Sequence, residues 1–304
     1  MSEIKLFKIG DGRASALAGE AGGLEKSLQL LMEKNLEVML GVRFVASEHS
    51  TGKIHGGRID SLGLDEDDCP VILEYKRAIS ENVISQGLYY LDWLLDHKAE
   101  FKLLVIDRYG KDVADKIDWS SPRLICVAAD FTKHDEHAVR QINRNIDLVR
   151  YRRFGQDLLA LELLTSTTAD AIVEAGEAVS TKASKQSADK PVAQAVAEME
   201  PALRDIWEEL RAYILGLGGD VTEKQLKLYV AFRRIKNFAT AFVQKKGVCA
   251  YLHLDPSKFV MEEGFTRDKR NSGHWGTGDL EAWIPDKEAL KKAQPLILQA
   301  YQES

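Results

Sequence analysis

The apolar positions of the first third of the chain recur at two distinct periods. Leu24, Leu28 and Leu31 fall at helical spacing in a segment running from Gly22-Gly23 to about Leu40, which predicts a helix. GGRIDSLGL and PVILEYK are short β-rich runs separated by Asp65, Glu66, Asp67, Asp68 and Cys69, an acidic turn-forming group suited to a hairpin loop. In ENVISQGLYYLDWLLDHKAEF, Ile84, Leu88, Leu91 and Leu95 form one helical stripe, and FKLLVID and PRLICVAAD then read as strands. A helix near 134–146 and the strand-like runs IDLVRY and LLALELL follow, an α/β order that predicts a mixed central sheet.

Between Thr165 and Glu198 large apolar and aromatic residues give way to Ala, Ser, Thr and charge. This shift predicts a first domain over 1–165, a linker over 166–195 and a second domain over 196–304. In the second domain WEELRAYILGLGG reads as a helix ending at glycines, TEKQLKLYVAFR as a β-like or helical run, GVCAYLHLDP as a strand and EALKKAQPLILQAY as a closing helix. A small α+β domain is expected.

The chemistry concentrates in the predicted hairpin. Side chains alternate along a strand, so Glu74 and Lys76 share one face while Val71, Leu73 and Tyr75 share the other. If loop 65–69 is symmetric about Asp67, paired positions sum to 134 and Asp60 falls opposite Glu74, with Cβ atoms about 5 Å apart. Two facing carboxylates repel unless one is protonated or a cation lies between them. Carboxylate oxygens and water suit Mg²⁺, with Mn²⁺ as its substitute, and such an ion next to a lysine is the equipment of phosphodiester hydrolysis.

Asp on one strand and Glu-x-Lys on the next resembles the PD-(D/E)XK nuclease superfamily. The longer run of Glu25 in helix one, GRID at 57–60, the acidic hairpin, EYK at 74–76, and Gln86 with Tyr90 on the next helix is similar to the branch cleaving branched or mismatched DNA. It is similar also to fused proteins labelled "predicted transport protein", whose second domain is uncharacterised. The resemblance covers roughly 20–165 and implies a restriction-endonuclease-like fold and metal-dependent cleavage of DNA in repair or defence. By it, Asp60 and Glu74 hold the metal with the Tyr75 backbone carbonyl, Lys76 is the catalytic lysine, Glu25 contributes a further carboxylate, and Gln86 supports the site. Residue 59 is Ile where the superfamily's name has Pro, a position that varies widely among such nucleases.

Composition adds constraints. The chain has 304 residues, is 45% hydrophobic and 29% charged, and contains no apolar stretch near the roughly 20 residues of a membrane span. Its opening MSEIKLFKIGDGRAS is polar and reads as no export signal, so a cytoplasmic address is expected. Cys69, Cys126 and Cys249 are odd in number and far apart, against a disulfide framework or a zinc cluster. Residues 1–165 hold 22 Lys and Arg against 27 Asp and Glu, so bulk charge gives DNA binding no support.

Local patches carry that expectation instead. Arg140, Arg144, Arg150, Arg152 and Arg153 face a single acid, Asp147, in one stretch. Arg58, Arg77, Tyr90, Arg150, Arg152 and Arg153 are the candidate DNA contacts. In the second domain Lys224, Lys227, Arg233, Arg234, Lys236, Lys245 and Lys246 interleave with Tyr229, Phe232, Phe238 and Phe242, a pattern of either a stacking surface or an aromatic core with a solvated basic side. DNA is the expected partner, with room for a homodimer. The alternative is a non-catalytic nucleic-acid-binding or regulatory protein built on the same fold.

Overall fold

The structure, a computed structural model, describes residues 5–20, 25–77, 82–155, 157–169, 191–272 and 275–304. The chain divides into two compact units, Met1–Ala169 and Asp170–Ser304.

In the first unit, β1 (Leu6–Gly10) and β2 (Arg13–Leu17) form an isolated hairpin and β3 (Gly19–Glu20) joins the main sheet. Helix α1 (Glu25–Leu40) leads into β4 (Arg43–Ser50), the short α2 (Gly52–His55), β5 (Arg58–Leu64) and β6 (Pro70–Lys76). Then come α3 (Val83–Asp96), α4 (Lys98–Tyr109), α5 (Lys111–Ala114), β7 (Arg123–Ala128), α6 (Lys133–Arg140), β8 (Asn145–Phe154) and β9 (Leu158–Thr167).

The sheet is mixed, as expected: β4, β5 and β6 are antiparallel, β6, β7 and β8 are parallel, and β9 returns antiparallel along β8. Because β7 pairs with β8 only up to Arg150, β3 takes its place along β8 at Arg153 and Phe154. The parallel strands β6 and β7 are buried along nearly their whole length, as strands covered on both faces are. Helix α3 lies against them with Ile84, Leu91 and Leu94 in one core with Ile72, Leu124 and Cys126. Gly87 permits that approach: a Cβ there would come within 2.5 Å of Leu124.

Several elements depart from the sequence reading. FKLLVID lies within helix α4, not a strand; Phe101 and Val105 are buried one helical turn apart while Lys102 pairs with Asp115 at 2.7 Å on the outside. Strand β4 has no counterpart among the sequence-predicted elements.

In the second unit, α7 (Val192–Ala197) and α8 (Pro201–Leu215) precede β10 (Thr222–Gln225), β11 (Val230–Arg233), β12 (Asn237–Gln244), β13 (Gly247–Leu252), β14 (Thr266–Asp268), β15 (Leu280–Ile284) and α9 (Lys287–Glu303). The six strands form an antiparallel sheet in the order β10-β11-β12-β13-β15-β14. Trp207, Leu210, Ile214, Leu290 and Ile297 of the helices pack on one face of it.

Of the expected linker 166–195, residues 170–190 lie outside the described residues. Its first residues complete β9, and Val192 belongs to the second core, with its N–H donating to Lys227 O at 2.8 Å. No helix among the described residues is long and apolar enough to cross a membrane.

Candidate active site

The β5–β6 hairpin has the register that a symmetric loop requires. Ser61 pairs with Leu73, Leu62 with Ile72, Gly63 with Val71 and Leu64 with Pro70, so each pair sums to 134. The loop holds this register through the Asp65 carboxylate, which accepts the N–H groups of Asp67 at 3.0 Å and Cys69 at 2.9 Å.

One step beyond Ser61 and Leu73, side chains replace the backbone ladder. Glu74 Oε1 accepts the Asp60 N–H at 3.3 Å, and Asp60 Oδ2 accepts the Tyr75 N–H at 3.0 Å. The two carboxylates are thus tied to each other's strands. Glu74 is wholly buried, and its Oε2 has no hydrogen-bond partner among the described residues. A buried carboxylate oxygen without a donor carries a large desolvation cost, which a cation or a proton relieves.

Both groups resist ionisation. Burial, and after it the Asp60 charge, push the Glu74 carboxyl up to about 8 against the opposing Asp60 N–H and Lys76 ammonium. Burial also raises Asp60, against the Tyr75 N–H and Lys76. A divalent cation between them replaces the missing donor and removes the repulsion, so this donor set fits one. Among the described residues no cluster of three or more His, Cys, Asp or Glu side chains could hold a metal. The fit is therefore to an ion taking two carboxylates, backbone and water, the habit of Mg²⁺. The Tyr75 carbonyl, the third expected ligand, follows Glu74 directly in β6.

Lys76 ends the strand with its Nζ 3.5 Å from Glu25 Oε1 at the start of α1, so these two expected residues meet. The next turns of α1 add residues that sequence reasoning missed. Gln29, 3% exposed, donates from Nε2 to the Asp60 carbonyl at 2.8 Å and to Glu33 Oε1 at 2.9 Å. Glu33 Oε1 also accepts the hydroxyls of Ser47 and Ser61, each at 2.7 Å. Glu25, Gln29 and Glu33 recur every four residues along one line of the helix, and that polar stripe beside Leu28 and Met32 is the signal that could have found them. Nearby, Glu48 takes φ 53° and pairs with Lys26 and Arg58, each at 2.5 Å.

Gln86 does not reach the carboxylates by any hydrogen bond described. Its Nε2 donates to Tyr90 Oη at 3.1 Å, and the same hydroxyl accepts the Arg58 N–H at 3.1 Å. Its support for the site passes through Tyr90 to the start of β5. Tyr90, expected to contact DNA, is buried and serves as this bracket instead. Gly57 makes room for it, since a Cβ there would come within 2.6 Å of the phenol.

The arginines divide. Arg150 is 3% exposed and pairs with Asp130 at 3.2 Å and Glu162 at 2.5 Å, so it is a neutralised core ion and not a phosphate contact. Arg58 and Arg77 are exposed, Arg152 and Arg153 half-buried. Parallel register aligns Lys76 with Ala128 and Ala128 with Arg150, so Arg77, Arg152 and Arg153 extend past the same ends of the strands as Lys76. Burial raises the Tyr151 hydroxyl, and the charges of Arg153 and Arg77 pull it back.

Residues 192–304 match a family model described as Domain of unknown function (DUF5655). An uncharacterized protein of Haemophilus influenzae is 28% identical over 99% of this chain and the whole of its own length. Among solved structures, an EndoMS complex with double-stranded DNA is 22% identical over 44% of this chain and 49% of its own, with a TM-score of 0.29. A repair endonuclease from Pyrococcus abyssi is 21% identical over 44% of this chain and 50% of its own, also at 0.29. The chain thus spans about half the length of these solved structures.

Within residues 192–304 the interleaved aromatics separate by face. Phe232 and Phe238 enter the core beneath the helices, whereas Tyr229 and Phe242 gather with Cys249, Tyr251 and Trp283 in a second cluster.

Proposed function

We propose that this chain is a metal-dependent nuclease that hydrolyses DNA phosphodiester bonds at the Asp60–Glu74–Lys76 site. The observation that carries the reading is the pair of interlocked carboxylates, Glu74 wholly buried and Asp60 half-buried, with Glu74 Oε2 left without a donor among the described residues, two residues from a lysine at the strand end. An energetically costly pair of this kind is retained where a ligand repairs it.

Asp60, Glu74 and the Tyr75 carbonyl would hold Mg²⁺ or Mn²⁺. When bound, the ion supplies Lewis acidity to the phosphate and a lowered pKa to water. Lys76 orients the attacking water and offsets charge developing on the phosphoryl oxygens, and Glu25 at 3.5 Å keeps its ammonium aimed at the site. Gln29 and the Gln86–Tyr90 bracket fix β5 from two sides, so that Asp60 keeps its position. Arg58, Arg77, Arg152 and Arg153 supply cationic positions for the DNA backbone. The sequence pattern favours branched or mismatched DNA in repair or defence, acted on in the cytoplasm.

A cleavage panel of single-stranded, duplex, mismatched and branched DNA with Mg²⁺ or Mn²⁺ tests the proposal. Cleavage of at least one form is expected with metal and not with EDTA, and Glu74→Ala and Lys76→Ala are expected to abolish it with the fold retained. Equal cleavage by Glu74→Ala would sink the proposal.

A further inference from the structure

Strand β4 turns over at Glu48. Ser47 Oγ donates to Glu33 of α1 at 2.7 Å, whereas the His49 ring lies 5.1 Å from Trp93 of α3. A regular strand would place Ser47 and His49 on one face; here they reach different helices, and the φ of 53° at Glu48 lies between them. Glycine takes this φ without the steric cost that a Cβ adds. The turn alone therefore does not call for a carboxylate.

That carboxylate is held on both of its oxygens. Oε1 meets Lys26 Nζ and Oε2 meets Arg58 Nε, each at 2.5 Å. Lys26 follows Glu25 at the start of α1, and Arg58 stands two residues before Asp60 in β5. Register brings Glu48 into line with the site as well. Ser47 pairs with Ser61 and His49 with Ile59, so Glu48 falls opposite Asp60 on one side, as Glu74 does on the other. One acid thus bridges two cations, each a near neighbour in the chain of a residue of the site.

A phosphodiester, like a carboxylate, offers two oxygens that share a negative charge, and lysine and arginine donate to either group. The bridge is also open to solvent: the side chains of Lys26 and Arg58 are 52% and 67% exposed, and that of Glu48 is 28% exposed. Ion pairs this exposed hold weakly, so an anion arriving from solvent can take the place of Glu48. Arg150, at 3% exposure between Asp130 and Glu162, offers no such exchange.

We infer that Lys26 and Arg58 form a clamp for one phosphate of the DNA backbone, and that Glu48 occupies this clamp until DNA displaces it. The inference rests on the nuclease reading for the identity of the ligand. Lys26 joins Arg58 as a phosphate contact, and Glu48 is a built-in competitor. DNA that brings no phosphate between α1 and β5 leaves the clamp closed, and the competition selects against it.

Fluorescence anisotropy of a labelled mismatched duplex, titrated with the full chain in EDTA, reads binding apart from cleavage. Glu48→Gln is expected to tighten binding by about fivefold or more, because two weak pairs no longer compete. Glu48→Gly, which relieves the positive φ, is expected to give the same gain and stands in should the glutamine variant fail to fold. Lys26→Ala and Arg58→Ala are each expected to weaken binding and to lower its salt slope by about 1. Combined with both alanines, Glu48→Gln is expected to bring no gain. A gain that persists in that background would show only the removal of a negative charge and would overturn the inference, as would binding indifferent to Glu48→Gln and Glu48→Gly. If the coupling holds but no DNA is cut with Mg²⁺ or Mn²⁺, the nuclease reading fails and the clamp stands. No binding of DNA by any of these proteins would overturn both.

Discussion

Removing metal should make the β5–β6 hairpin less stable as pH rises, the reverse of a protein held by ordinary ionised carboxylates. Glu74 is raised from 4.5 to about 8 by burial and by Asp60, so between those values the folded state holds a proton that the unfolded chain has released. Its contribution is fully present below pH 4.5 and is lost as pH climbs through 8. Asp60 shifts in the same direction and adds to the slope. The ceiling for Glu74 alone is about 5 kcal/mol between the acid and alkaline limits. Strand ends part slightly and admit water to an ionised pair, so about 2 kcal/mol is the expected loss from pH 6 to pH 9.

Hydrogen exchange in EDTA, corrected for intrinsic rates, isolates this hairpin from the second unit. Protection of peptides spanning 58–76 should fall by about 30-fold over that range, the equivalent of about 2 kcal/mol. Added Mg²⁺ should restore it at pH 9 and do little at pH 6, where the ion must displace a proton. Glu74→Gln should flatten most of the pH dependence. Protection that rises with pH in EDTA, or an unaltered slope in Glu74→Gln, refutes the reasoning.

Other perturbations separate support from chemistry. Tyr90→Phe deletes the acceptor shared by Gln86 and the Arg58 N–H and should cost about 1–2 kcal/mol; urea unfolding measures it, and an unchanged midpoint would show the bracket to be idle. Arg123 and Asp147 form a buried ion pair, so Arg123→Met should destabilise by about 3–5 kcal/mol while replacing both with apolar residues is much milder; thermal melts of the two variants decide this. Arg152→Ala with Arg153→Ala should lower the salt slope of DNA binding by about 1–2, whereas Arg150→Ala should act chiefly on stability. Binding measured across a salt series distinguishes these outcomes.

The hairpin and its register were legible because loop symmetry and strand alternation are local rules, and Asp60, Glu74 and Lys76 obey both. Helix α4 was not, because FKLLVID is too short an apolar run for its period to distinguish strand from helix. Only its packing, with Phe101 and Val105 inward, decides. Strand β4 hides for another reason: its register shifts between Phe44 and Ala46 and Glu48 adopts a positive φ, so alternation never lasts long enough to read. Arg150 shows the limit of charge patterns, since its partners Asp130 and Glu162 come from β8's surroundings and no spacing announces them. Gln29 was visible as spacing but unreadable as a role until its carbonyl partner was known.

The turn from Asp65 to Cys69 sets the register of the two strands that carry the carboxylates of the site, and so acts as a ruler for both. One extra residue in it would slide the strands so that a neighbour of Asp60 faced Glu74, and every alternating side chain of β5 would change sides. Substitutions there that preserve the tight turn are harmless to this geometry, and any change in its length is not. The segment should therefore vary in composition far more freely than in residue count, a constraint on insertions and deletions that no inventory of contacting residues would reveal.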